Sequence, residues 1–313
     1  MSELRTAAET AVHQCLALGA DEHCVVVTDD DRLPIGEILY EVAAEVGTAS
    51  LHRYPPGESH GAEPPDAIAA AMQAGDAFLA PTTKSLSHTR ARGAATEAGV
   101  RGATLPGITD AVFTTGLDAD YDAIAAACEA VADQVRGAET IRVTTPAGTD
   151  LTIEVGDRDW QQDTGQIADP GAFSNLPAGE VFISPASADG TYVVDGTMMP
   201  HGRLTEPITI EVADGAVTHI SDAAISDTVA EAAEEVGDAA YNLAELGIGT
   251  NVGVTDLVGS VLLDEKAGGT VHLAIGDDAG IGGDTEAPIH LDGILQEPTV
   301  FADGDQITLP TPE

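Results

Sequence analysis

HCVVVTDDDRLPIGEILYEVAAEVG, residues 23–47, places consecutive aliphatics, an acidic turn and then apolar residues at helical spacing in one stretch. HCVVVTDD reads as a buried strand, because a strand covered on both faces needs no polar alternation. LPIGEILYEVAAEVG reads as the helix that follows. The same rhythm continues downstream: DAFLAPT is a short strand, SHTRARGAATEAGV a helix, GATLPGI another strand, and YDAIAAACEAVADQVRGA a helix that closes the series near residue 137. An amphipathic helix over residues 3–19 precedes it. Strands alternating with helices make βαβ units, which assemble into an open, mostly parallel sheet.

These elements predict an α/β chain whose first domain, residues 1–137, is a Rossmann-like layer. Gly36 stands alone in LPIGEIL, without the glycine spacing of a dinucleotide-binding turn, so no nucleotide cofactor is expected. Beyond residue 138 the rhythm changes. TIRVTTPAGTDLTIEVGDR is a hairpin, and GEVFISP, GTYVVDGTM, PITIEVADGAVTHI, GTVHLAIG and IHLDGIL are further short strands. One helix, ISDTVAEAAEEVGDAAYNLAELG (residues 225–247), interrupts them. Residues 138–313 are therefore expected to form an α+β domain.

The chain carries 12 Lys+Arg against 53 Asp+Glu, a formal charge of −41, and its lysines are Lys84 and Lys266. The acid is spread in patches such as VTDDDR and GLDADYDA, which describes a solvated shell and not a disordered acidic tail. This pattern resembles that of proteins from salt-accumulating halophilic archaea, in which concentrated salt screens the self-repulsion. A nucleic-acid partner is excluded by the sign of the charge. No apolar run reaches the ~18 residues of a membrane span, and the N-terminus lacks the basic start and apolar stretch of a signal peptide, so a cytoplasmic protein is expected. Cys15, Cys24 and Cys128 lie far apart in apolar contexts and read as buried thiols.

In GGTVHLAIGDD, residues 268–278, alternation puts His272 on one face with Thr270, Ala274 and Gly276. An imidazole among such small neighbours has open space beside it. PIHLDGI carries His290 and Asp292 two apart, hence on one face of a second strand. Two imidazoles and a carboxylate on rigid strands are a fair set of metal ligands; hydrogen-bonded structural histidines are the plain alternative. Glu180 in NLPAGEVFISP, Glu245 in NLAELGIGTN and Glu265 in LLDEKAGGTVH stand out from the other acids, because their neighbours are apolar or glycine.

Taken in order, NLPAGEVF, LAELGIGTN, DEKAGGTVHLAIG and HLDGI resemble the aminopeptidase T family of dinuclear metallo-aminopeptidases, and TTKSLSHTRARGAATEAGVR extends the likeness toward the N-terminus. The resemblance implies that Glu180, Glu245, Glu265, His272, His290 and Asp292 hold two divalent ions, Zn, Co or Mn, with Glu245 bridging them. It implies further that Glu180 and Glu265 serve catalysis, and that metal-activated water removes N-terminal residues from a small peptide. The chain departs from that family in lacking the tyrosine expected a few residues past His272, in a longer spacing from Glu265 to His272, and in overall length. Tyr192 and Tyr241 are candidates to replace the tyrosine. The same superfamily includes the 2,5-dihydroxypyridine dioxygenases, whose single Fe(II) is held by two histidines and an aspartate, matched here by His272, His290 and Asp292. A non-catalytic metal-binding homologue is the third reading.

TTKSLSHT, residues 82–89, sits at the carboxyl end of a strand of the parallel sheet, where such sheets bind ligands. Lys84, Ser85 and His88 are expected to hold a substrate carboxylate or another anion there. The alternative is a capped helix whose cations, including Arg90 and Arg92, pair with nearby acid. A homodimer is expected.

Overall fold

Cys24 to Asp29 are all buried in strand β1, His23–Asp29, so this strand is covered on both faces and takes a central place in its sheet. The computed structural model describes residues 2–311. The helix Leu33–Val46 follows β1, with Pro34 in its first turn, where a missing N–H costs nothing. Strands β2 (Thr48–Tyr54), β3 (Ala77–Thr82) and β4 (Arg101–Pro106) complete the parallel order β2-β1-β3-β4, and the short strand Phe173–Asn175 pairs parallel with β4 at the edge. The expected parallel sheet is thus present, with β2 as an addition. That strand has a mixed sequence, TASLHRY, and is mostly half-exposed at the sheet edge, so no apolar run announces it.

Two polar anchors hold the ends of this sheet. Asp29, buried at the carboxyl end of β1, accepts hydrogen bonds from Thr83 N and Thr83 Oγ1 after β3 and from the amides of Asp31 and Arg32. At the other end Arg101 is buried and donates to both carboxylate oxygens of Glu22 at 2.8 and 2.6 Å, and also to the carbonyls of Leu16 and Ala17. The N-terminal helix, Glu3–Glu9, is capped by Ser2 and continues as the π-helical turn Thr10–Cys15, short of the residue 19 expected from periodicity. All three cysteines are buried and unpaired with one another. No helix among the described residues is long and apolar enough to cross a membrane.

The chain divides into two compact units whose segments alternate in sequence: the first runs through Ala125 and takes back Thr164–Ala178, and the second holds Ala126–Asp163 and everything from Gly179 onward. The change near residue 137 expected from the sequence follows the helix Tyr121–Val135, whereas the first change of unit falls within that helix.

The second unit contains two seven-stranded sheets. The first is built on the expected hairpin, Thr140–Thr144 with Asp150–Glu154, joined by Ser187–Val194, Ile208–Ala213 and Ala216–Ile220. In the second sheet four neighbouring antiparallel strands matter here: β5 (Glu180–Ile183), β6 (Leu243–Gly249), β7 (Val271–Gly276) and β8 (His290–Leu295), in the order β8-β7-β6-β5. The helix expected over 225–247 is corrected: it spans Ala223–Val236 and ends at Gly237, whose φ of 68° breaks the helical path. Glu245 consequently lies on β6, a strand buried at every position.

Candidate metal centre

The register of β5 to β8 brings five of the candidate ligands to one face. Glu180 on β5 is opposite Gly249 on β6, Gly247 is opposite His272 on β7, and Glu245 is opposite Ala274. Ala274 in turn faces Asp292 on β8, and Gly276 faces His290. Residues directly opposite in an antiparallel pair project to the same side, so four long polar side chains and one aspartate share a face that also carries Gly247, Gly249, Ala274 and Gly276, together with Phe182 and Ile294. The small residues of the histidine strand are therefore a floor. A methyl group at position 247 would lie 2.0 Å from His272 Cε1 and Nε2, so glycine alone admits the ring at that place.

Glu245 sits between the two imidazoles. Its Oε1 is 3.2 Å from His272 Nε2 and its Oε2 is 3.2 Å from His290 Nε2. His272 Nε2 is also 3.4 Å from Glu180 Oε2, and His290 Nε2 is 3.3 Å from Asp292 Oδ1. Two groups of donor atoms with metal-binding spacing result, Glu180–Glu245–His272 and Glu245–His290–Asp292, with Glu245 common to both. His290 Nδ1 lies 2.7 Å from the Asp277 carbonyl, which can only accept, so Nδ1 carries the proton and Nε2 is presented to the carboxylates. His272 is 1% exposed and His290 32%, so the centre is closed at β7 and open at β8.

The electrostatics follow from crowding buried charge. Burial lowers the basicity of His272, but its hydrogen bond to Glu245 and the charges of Glu180, Glu245 and Asp292 outweigh this and lift it to about 9. Partial burial likewise opposes Asp292 and Glu245 at His290, and the carboxylates again win, holding that ring well above its ordinary range. Burial works to raise Glu245, yet the two imidazoles pull it below the usual carboxylate range. Glu180 is raised by burial against the opposing pull of Lys266 and His272.

Glu265 takes a different position. It follows the short helix Val261–Asp264, and its Oε1 accepts from Lys266 Nζ at 2.8 Å. The same Nζ donates to Glu180 Oε1 at 2.5 Å. Lys266 is buried. Sequence reading passed over this residue, although it is one of two lysines in a chain of 53 acids and stands beside an acid already singled out. Gly247 was also passed over, and the Asp277 contact, made by a main-chain carbonyl, leaves no side-chain signal. Tyr192 is fully buried on the strand Ser187–Val194 with its hydroxyl unpartnered, and burial pushes its ionisation up, with Asp292 adding to the effect. Tyr241 ends the short 3-10 helix Gly237–Tyr241, just before β6.

Lys84, Ser85 and His88 belong to the first unit, whereas the carboxylate and imidazole cluster belongs to the second. Lys84 and Ser85 are half-buried and His88 is exposed. The Ser85 amide donates to His60 Nδ1 at 3.3 Å, and its hydroxyl bonds Ser87 Oγ at 2.9 Å. The helix Arg90–Glu97 is capped by Thr89, Arg90 pairs with Glu63 at 3.2 Å, and Arg92 donates to the Ser87 carbonyl and lies over the Phe173 ring at 4.5 Å. Part of the cationic cluster thus has structural partners.

The family model for NicX, 2,5-dihydroxypyridine 5,6-dioxygenase, matches residues 43–310. The chain belongs to this family. A curated 2,5-dihydroxypyridine 5,6-dioxygenase from Pseudomonas putida is 25% identical over 189 residues, covering 56% of this chain and 54% of that protein, so the matched stretch spans about half the relative's length. The solved structure of 2,5-dihydroxypyridine dioxygenase from Pseudomonas putida is similar with a TM-score of 0.80 at 19% identity, covering 99% of this chain and 97% of that one. Wild-type AmpT from Thermus thermophilus is similar with a TM-score of 0.68 at 18% identity, covering 98% and 99%. At such identities both structures speak for the fold. The chain thus shares its fold with both enzymes named in the sequence resemblance, while the family it belongs to is the dioxygenase one. Aminopeptidase activity, the first expectation from sequence, gains a likeness of fold and nothing finer.

Proposed function

We propose that this chain is a mononuclear Fe(II) ring-cleaving dioxygenase acting on a dihydroxylated pyridine or a closely similar electron-rich ring. The observation that carries this reading is the set of two histidines and one aspartate, His272, His290 and Asp292, on one face of adjacent strands in a chain of this family. The residues fit an ion. Glu180 Oε2 is buried without a hydrogen-bond partner beside the His272 ring, and imidazole with carboxylate suits first-row divalent metals. An Fe(II) ion, when bound, supplies the redox chemistry that the use of dioxygen requires.

The protein's own groups have separable tasks in this reading. His272, His290 and Asp292 hold the ion, and the Asp277 carbonyl keeps His290 in the tautomer that offers Nε2. Glu245 draws the Nε2 edges of both rings together through its two oxygens before an ion is bound. Lys266 compensates the buried charge of Glu180 and Glu265. The substrate approaches from β8, the open side, where the His290 ring is partly exposed. Lys84, Ser85 and His88, within the first unit, are our candidates for holding a carboxylate or another anion.

A second reading, metal-dependent removal of N-terminal residues, is favoured by one observation: Glu245 is common to both donor groups, as a bridging ligand would be. Metal analysis together with two assays separates the readings. One iron per chain and oxygen uptake with 2,5-dihydroxypyridine is the expected result. Two ions per chain with hydrolysis of leucyl anilides and no oxygen uptake would replace the first reading by the second.

A further inference from the structure

We propose that Lys266 is a built-in cation standing where a second metal ion would bind, so that the site holds one divalent ion and becomes a two-ion site when the ammonium is removed. The inference rests on the reading of this cluster as a metal centre and adds what sets its stoichiometry. The donors for two ions are present, since Glu180–Glu245–His272 and Glu245–His290–Asp292 each have ligand spacing. The first of these groups is compromised by Lys266, whose Nζ binds Glu180 Oε1 at 2.5 Å and Glu265 Oε1 at 2.8 Å. A divalent ion within a few ångströms of that ammonium would meet direct repulsion in a medium that screens poorly. The Glu245–His290–Asp292 group and His272 itself contain no partner of Lys266, and they remain for the one ion.

The ammonium is not free to move aside. The Lys266 side chain is 4% exposed, its amide donates to the Leu263 carbonyl at 3.0 Å, and its carbonyl accepts from the Asn251 amide at 2.8 Å. The next residue is held equally closely, because a methyl group at Gly249 would meet the Ala267 carbonyl oxygen at 2.1 Å. Asp264, fully buried, fixes the preceding turn by accepting from Thr197 Oγ1 and from the amides of Val258 and Gly259. Charge balance points the same way. Glu180, Glu245, Glu265 and Asp292 bring four carboxylates to the cluster, and without Lys266 a single divalent ion would leave two of their charges uncompensated in a largely buried site. That deficit draws in a second ion.

The test is ion stoichiometry, independent of turnover. The purified chain, Lys266→Met and Lys266→Arg are titrated with Zn(II) alone, bound ions are counted by elemental analysis, and folding is checked by circular dichroism. The expected counts are one ion for the unaltered chain, two for Lys266→Met and one for Lys266→Arg. A folded Lys266→Met that still binds one ion overturns the proposal while leaving the metal centre standing, as does an unaltered chain that binds two. An unaltered chain that binds none overturns the metal centre itself. Should Lys266→Met fail to fold, Glu265→Gln in the unaltered background decides: retention of one ion with affinity unchanged supports the proposal, and loss of the ion overturns it, because Glu265 would then be a ligand and not the partner of the ammonium.

Discussion

Gly247 and His272 face each other across strands β6 and β7, and a methyl group on the glycine would stand 2.0 Å from the imidazole. The ring position is therefore set by what its neighbour lacks. Gly247→Ala is expected to turn the ring away from Glu245 and weaken metal binding by ~10–100-fold, the range seen when support of a ligating imidazole is disturbed. Metal titration of the folded variant checks this; unchanged affinity would show that the ring has other room.

His272→Ala is expected to abolish metal binding and not merely weaken it. The substitution removes a donor and leaves Glu180 and Glu245 facing each other across the cavity without the imidazole between them. Elemental analysis after dialysis against Fe(II) or Zn(II) gives the answer, and retention of a full complement of metal would remove His272 from the ligand set. Glu245→Gln is expected to lose more metal than Glu265→Gln, because Glu245 touches both histidines whereas Glu265 faces Lys266.

Metal affinity should rise with pH. The ion-free His272 holds its proton up to about 9, so at lower pH an incoming ion must displace it. Each displaced proton changes the apparent Kd by ~10-fold per pH unit until the group has titrated. The ion-free protein responds in the opposite direction. A histidine raised in the folded state contributes stability that is fully present below its unfolded pKa of ~6.5 and is lost as pH rises through about 9. Thermal unfolding of the ion-free chain at pH 6 and pH 9.5, beside metal titrations at the same values, tests both signs.

The Glu22–Arg101 pair should matter for stability in the acid range. The Arg101 hydrogen bonds hold the Glu22 carboxyl below its ordinary value against the cost of partial burial. Its contribution is present above the unfolded carboxylate pKa and is lost as pH falls through the lowered folded one. Glu22→Gln leaves a buried guanidinium without its counter-charge and should cost about 2 kcal/mol at pH 7, measured by urea unfolding.

Salt should stabilise the chain. With a net charge of −41, self-repulsion is strong when the screening length is ~10 Å at 0.1 M salt and weak when it is ~3 Å at 1 M. The melting temperature is expected to climb between these concentrations of KCl, and a flat or falling curve would show that the acid is compensated locally.

What the sequence disclosed follows the range of the interactions concerned. Val25 to Val27 declare β1 because burial on both faces leaves its mark in consecutive residues. His272, His290 and Asp292 could be picked out because polar groups on short apolar strands are out of place, and period-two alternation assigned their faces. β2 stayed hidden because an edge strand needs no apolar run. YNLAELG passed for helix because Leu, Ala and Glu are good helix formers, and only pairing with β5 and β7 makes it a strand. Lys266 was least legible, since its meaning comes from Glu180, 86 residues away.

The pairing of Phe173–Asn175 with β4 bears on how the chain is made. The first sheet acquires its last strand only after the ribosome has added more than thirty residues beyond position 137, including the hairpin that opens the second unit. Until then β4 offers bare amides and carbonyls to whatever is nearby, and a neighbouring nascent chain is a ready partner. Dissecting the gene at the apparent boundary would make that transient exposure permanent, so a fragment ending at 137 should precipitate where the undivided chain stays in solution.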